Sequence, residues 1–239
     1  TNPLICQHYL MVVVHGYPDI RRTPEPLRCF ATSRHRKRTP ICHDYAAVGK
    51  DYRICGFPPP SSGAIAVGQI LGILSNTQAA SLPLQAGVPT PAGPTPSADW
   101  LYLYTEAARL AFADRAVYLG DPDFVQPPAG NWMSLLDPAY LAGRAKLIGQ
   151  APGAPSMKVA QPGHPGAVKT SFAPMPAQPE YGTSHISIVD AQGNALAMTT
   201  TIEDAFGARQ MVKGFLLNNE LTDFSFAPTD ADGKPIANR

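Results

Sequence analysis

The chain has 239 residues, 44% of them apolar, and 19 Lys and Arg stand against 18 Asp and Glu. That length suits one large domain or two small ones around a real core, and the near balance of charge excludes a one-sign field that would draw nucleic acid or anionic lipid to the whole surface. The longest apolar runs, Leu10 to Val14 and Ile65 to Leu74, are much shorter than the roughly 20 residues that cross a bilayer, so no transmembrane helix is expected. The sequence starts at Thr1 and carries no basic region followed by a sustained apolar one, so no signal peptide is visible.

Residues 1 to 40 follow neither a period of 2 nor one of 3.6, and no element is assigned to them. The basic run Arg34, His35, Arg36, Lys37, Arg38 has no interleaved aromatics and reads as a solvated face, not a nucleic-acid patch. All four cysteines, Cys6, Cys29, Cys42 and Cys55, lie in the first 55 residues without a C-x-x-C pair, which argues against zinc or a dithiol redox site. Isolated thiols are the default reading, and a Cys42–Cys55 disulfide is the alternative for an exported protein.

"YRICGFPPPSSGAIAVGQILGIL" reads as a short strand, a stiff Pro58-Pro59-Pro60 segment and a helix of small apolar residues capped by Ser61 or Ser62. "SADWLYLYTEAARLAFADRAVYLGDPDF" carries the best helical periodicity, with Ser97 or Asp99 as cap. On it Glu106 and Arg109 form an i, i+3 pair expected at the surface, and Asp114 and Arg115 are placed to tie the helix to its neighbours. A shorter helix follows at "DPAYLAGRAKLIG", with Asp137 as cap and Pro138 at its first position. Residues 150 to 182 are rich in Pro, Gly and Ala with little burial pattern, and a long mobile linker is expected there.

"SHISIVD", "AQG" and "NALAMTTTI" form a hairpin signature, two alternating strands around a loop with Gly193 at its last position. Pairing symmetric about Gln192 sets Asp190 opposite Asn194, Ile186 opposite Met198 and Thr183 opposite Thr201. Glu203, two residues beyond Thr201, would share its face. Two hydroxyls and a carboxylate thus converge, although plain β-propensity accounts for paired threonines equally well, and a bulge would shift the register by one. "GFLLNNELTDFSF" then runs from an apolar strand into a polar edge of Asn218, Asn219, Glu220 and Asp223. Such an edge suits a solvated turn or an ammonium group better than a metal, since two carboxylates are a poor cage for an ion.

"PPPSSG" at 58 to 63, "YTEAARLAFADRAVYLGDPDF" at 104 to 124, "GTSHISIVDAQGNALAMTTTIEDAFG" at 182 to 207 and "GFLLNNELTDFS" at 214 to 225 resemble the gamma-glutamyltranspeptidase family of N-terminal-nucleophile hydrolases. The resemblance covers about residues 40 to 239. It implies an α/β fold, a four-layer α/β/β/α sandwich of which this chain supplies part, and self-cleavage between Gly182 and Thr183. Residues 41–182 would then be the C-terminal part of a large subunit, ending in the linker 150–182, and residues 183–239 the start of a small catalytic subunit, with 1–40 unassigned and foreign to the family pattern. Thr183 would be the nucleophile, its own α-amino group, with an ordinary pKa of about 7.7 to 8.0, serving as base.

By the same resemblance Thr201 would position Thr183, Glu203 would take part in substrate binding, and Glu220 and Asp223 would hold the α-ammonium of glutathione or another γ-glutamyl compound, whose acyl group passes to water, an amino acid or a peptide. Glu203 stands where many members carry Asn, and Ala64 replaces a second glycine common after "PPPSSG". The family's substrate-carboxylate arginine and its oxyanion-hole glycines are expected in stretches outside these 239 residues, each missing oxyanion donor costing roughly 100- to 1000-fold in rate. The resemblance calls for no metal or organic cofactor, and suggests a periplasmic or extracellular location and a large/small subunit heterodimer. The rivals are a glutaryl or cephalosporin-type acylase of the same fold, and a catalytically inactive fragment with a structural or interaction role.

Overall fold

The computed structural model describes residues 13–14, 40–47, 50–82, 85–90, 93–167, 171–176, 182–189, 191 and 195–238. The basic run at 34 to 38, Cys6, Cys29 and the Asp190–Asn194 pair lie outside them. Elements run β1 (Val13–Val14), β2 (Ile41–Ala47), β3 (Lys50–Gly56), α1 (Gly63–Leu74), β4 (Gln85–Thr90), β5 (Gly93–Thr95), α2 (Ala98–Tyr118), α3 (Pro138–Ala145), β6 (Ser184–Val189), β7 (Ala195–Thr200), β8 (Met211–Val212) and β9 (Phe215–Leu216), with short 3-10 turns between. The architecture is mixed α/β. Strands order β1-β3-β2 in one antiparallel sheet, and β4-β5, β6-β7 and β8-β9 form separate two-stranded ribbons.

Cys42 sits directly opposite Cys55 in the β2–β3 register, and the two sulfurs are bonded, with Cα atoms 4.1 Å apart. For this pair the disulfide replaces the default of isolated thiols, because a direct cross-strand position brings two cysteines within bonding reach. β3 then feeds the Pro-rich corner into α1. A side chain at Gly56 would meet the Cβ of Ala64 at 3.0 Å, so the methyl of Ala64 occupies the space that Gly56 leaves open.

Ser62 takes the cap position of α1 without a side-chain cap bond; its hydroxyl instead accepts from Nε of Arg115 at 2.9 Å. An ion with its own donor outbids the helix end here, and the outcome ties α1 to α2. The other caps form as the sequence predicts: Ser97 Oγ accepts from the N–H of Trp100, and Asp137 accepts from those of Ala139 and Tyr140 with Pro138 at the first helical position. Ile70, Ile73, Leu103, Ala107, Leu110, Ala111 and Leu141 form the main core between the three helices. A second cluster joins Ile41 of β2 to Ile65, Val117, Tyr118 and Leu135.

Glu106 departs from expectation. It is 1% exposed, takes Arg109 on Oε1 at 2.9 Å, and accepts the backbone N–H of Met157 on Oε2 at 2.8 Å. Asp114, fully buried, accepts four hydrogen bonds: from Gln69 and the Tyr140 hydroxyl on one oxygen, and from Arg144 and the N–H of Gly163 on the other. Burial first and Asp114 second push the Tyr140 hydroxyl far up its titration range, so it remains a donor. The Tyr118 hydroxyl donates to the carbonyl of Gly163 at 2.6 Å. Residues 150 to 163, expected as part of a mobile linker, are thus strapped across α2 and α3. Their backbone groups find partners on buried carboxylates that no local pattern in the strap itself encodes.

Candidate active site

The β6–β7 ribbon pairs Ser184 with Thr200, Ile186 with Met198 and Val189 with Ala195. This is the register read from the sequence, with no intervening bulge. Continued one step, it sets Thr183 against Thr201 at the open end. Alternation puts His185 and Ser187 on the face of Thr183, and Thr199 on that of Thr201. The His185 ring is hydrogen-bonded through Nδ1 to the Thr199 hydroxyl at 2.8 Å and through Nε2 to the Ser187 hydroxyl at 3.1 Å. Its spacing of two from Thr183 is the signal that marks it, and sequence reasoning passed over it.

Thr183 is exposed and Gly182, at φ 118°, has a backbone that an L side chain rarely adopts. Both line an open cleft of about 360 Å³ together with Thr201 and Glu203. The Thr201 hydroxyl donates to the Gly182 carbonyl at 3.5 Å and accepts the N–H of Glu203 at 2.9 Å. One hydroxyl therefore joins the peptide unit before Thr183 to the turn that carries Glu203.

Glu203 reaches the site by a different route from the one expected. β7 ends at Thr200, and Glu203 sits in a turn with φ 72°, uncommon for a residue other than glycine. The turn, not the pleat, brings its carboxylate to Glu220 and Asp223, which open and close a single 3-10 turn. One oxygen from each of the three lies within 4.8 Å of the others. Glu220 is 9% exposed and its Oε1 has no hydrogen-bond partner. Burial, then the charges of Asp223 and Glu203, raise its pKa above the ordinary glutamate value. Three carboxylates held this close are suited to a cation of any kind, an organic ammonium or a metal ion.

Residues 27–239 match the family model described as gamma-glutamyltranspeptidase. The glutathione hydrolase proenzyme of Escherichia coli (strain K12) is 37% identical over 194 residues, which are 80% of this chain and 28% of that protein. The acylase ACY 1 proenzyme of Pseudomonas sp. (strain SE83) is 32% identical over 200 residues, 83% of this chain and 30% of that protein. Among solved structures, the crystal structure of Helicobacter pylori gamma-glutamyltranspeptidase aligns at 30% identity with a TM-score of 0.38, covering 52% of this chain and 30% of that one. The chain is a mixed α/β protein whose β6–β7 hairpin brings Thr183 and Thr201 into one cleft with Glu203, and it belongs to the gamma-glutamyltranspeptidase family. It spans less than a third of the length of the curated relatives it matches here.

Proposed function

We propose that this chain carries the cleavage junction and the amine-binding carboxylates of a γ-glutamyl transferase/hydrolase acting on glutathione or related γ-glutamyl compounds. One observation carries the reading: the convergence of Glu203, Glu220 and Asp223 in the neighbourhood of an exposed Thr183 that lines the same cleft as Thr201 and Glu203. In the uncut chain the Thr183 hydroxyl attacks the Gly182 carbonyl carbon, and Thr201, which already donates to that carbonyl oxygen, supports the negative charge that develops there. The C–N bond breaks as the hydroxyl proton passes to the departing nitrogen, the acyl group moves to oxygen as an ester, and water hydrolyses it to the free carboxylate of Gly182 and the amine and hydroxyl of Thr183. The freed α-amino group then accepts the hydroxyl proton of Thr183 as it attacks a γ-amide carbonyl. Expulsion of the amine leaves an acyl-enzyme, which water or an amino acid or peptide acceptor resolves.

The nucleophile and base in the reaction as written both belong to Thr183, and water or an acceptor amine completes it. A substrate with an α-ammonium satisfies the three carboxylates, whereas a glutaryl side chain leaves them facing each other, which favours the γ-glutamyl reading over the acylase one. By family analogy the finished protein is a four-layer sandwich, a large/small subunit heterodimer after cleavage, and periplasmic or extracellular. The Cys42–Cys55 disulfide fits such an oxidising compartment. Intact mass after incubation, wild type against Thr183→Ala, tests the reading: a cut before Thr183 that is absent from the variant supports it, with turnover of a γ-glutamyl anilide as the next step. A single uncut chain in both favours a structural or interaction role.

A further inference from the structure

Asn219 occupies the cap position of the 3-10 turn 220–223, yet its side chain makes no cap bond to that turn. Asn218 takes the task instead, its Oδ1 accepting the N–H of Glu220 at 3.2 Å. The Oδ1 of Asn219 is turned across the site, where it accepts the N–H of Asp204 at 3.1 Å, and the backbone N–H of Asn219 donates to the carbonyl of Ile202 at 3.3 Å. The amide orientation is fixed from the other side as well, since Nδ2 donates to the Thr222 hydroxyl at 3.4 Å, and that hydroxyl donates to the Asn219 carbonyl at 3.0 Å.

These two cross-links bracket Glu203, held at positive φ between Ile202 and Asp204. Asn219 itself directly precedes Glu220 and lies four residues before Asp223. We infer that Asn219 is a positioning residue: it clasps the Glu203 turn to the Glu220–Asp223 turn and so sets the spacing of the three carboxylates against their own repulsion. The inference rests on the γ-glutamyl reading for what the carboxylates bind, while the clasp itself does not.

Asn219→Ala removes the acceptor, and Asn219→Asp restores an oxygen in the same place. On the full chain, KM for a γ-glutamyl anilide should rise roughly five- to tenfold in Asn219→Ala, about the worth of one net hydrogen bond. The kcat should stay near wild type, and Asn219→Asp should recover most of the loss. Hydrogen exchange should quicken over residues 202 to 206 in the alanine variant alone, while self-cleavage before Thr183 proceeds in all three proteins. Unchanged KM and unchanged exchange in Asn219→Ala overturn the inference. Equal damage to KM, kcat and self-cleavage in both variants also overturns it, leaving Asn219 a purely structural residue. If the protein with the expected arginine and oxyanion-hole glycines present turns over no γ-glutamyl amide, the substrate reading is overturned, and the exchange data then decide the clasp independently.

Discussion

Glu220 shows how one side chain links burial to binding. Its folded pKa lies above the ordinary value, so the fold holds its proton more tightly than the unfolded chain does. The corresponding stability is present in full below the ordinary glutamate pKa and is lost as pH rises through the folded value. The ammonium binding proposed for this site has the opposite sign, because it needs the ionised form. KM for a γ-glutamyl substrate should therefore climb as pH falls through a window above the usual glutamate range, and Glu220→Gln should flatten that profile; pH-resolved initial rates measure both. Gly207 offers a stability test at the same scale. It sits at φ 52°, and a Cβ there would lie 2.1 Å from the backbone carbonyl oxygen of Leu217, in the contact that closes the 204–217 loop. Gly207→Ala should cost about 2 kcal/mol or more by urea titration.

Elements are joined here by buried polar groups as much as by apolar packing. Asp114 links α2 to α1 through Gln69, to α3 through Tyr140 and Arg144, and to the strap through Gly163. Asp114→Ala would leave the Arg144 guanidinium, 5% exposed, without its carboxylate. A loss of about 3 to 5 kcal/mol is expected, together with faster exchange at the Gly163 amide. The β2–β3 ribbon is pinned by a bond between residues 13 apart in sequence. Replacing both cysteines by serine should lower stability by about 3 kcal/mol, mainly by freeing the unfolded chain, and thermal melts under non-reducing conditions would register it.

Across the whole molecule, the segment after the acidic turn is tied back to the helices. The Asn238 amide donates to the Asp223 carbonyl at 2.8 Å, the Ala173 N–H donates to Pro235, Ala173 bridges Ile236, and the Met175 N–H donates to Ala116 of α2. Phe172, Ala237 and Val125 pack together beneath this seam. The carboxylate cluster is thereby connected to the same framework that Asp114 organises. His43, on β2 against α1, adds a global pH response. Burial lowers its pKa, with Asp44 opposing, so it contributes stability above the ordinary histidine value that is lost as pH falls through the folded one. Denaturant midpoints measured through the mildly acidic range should fall for wild type and fall less for a His43→Phe variant.

The sequence by itself determined the three helices and two of their caps, because Ser97, Asp137 and Pro138 act within a turn of where they stand. It also determined the β6–β7 register, since a loop centred on Gln192 sets the pairing and a one-residue slip would turn each strand's side chains to the other face. Thr183 and Thr201 were legible for that reason, and Glu220 and Asp223 were legible as a polar edge. Only the tertiary structure decided that Glu106 is buried, that Ser62 serves Arg115 and not its own helix, that residues 150 to 163 lie strapped to α2 and α3, and that Asn219 reaches across to Asp204. Those outcomes depend on which donor arrives from 15 or more residues away, and no local spacing carries that information.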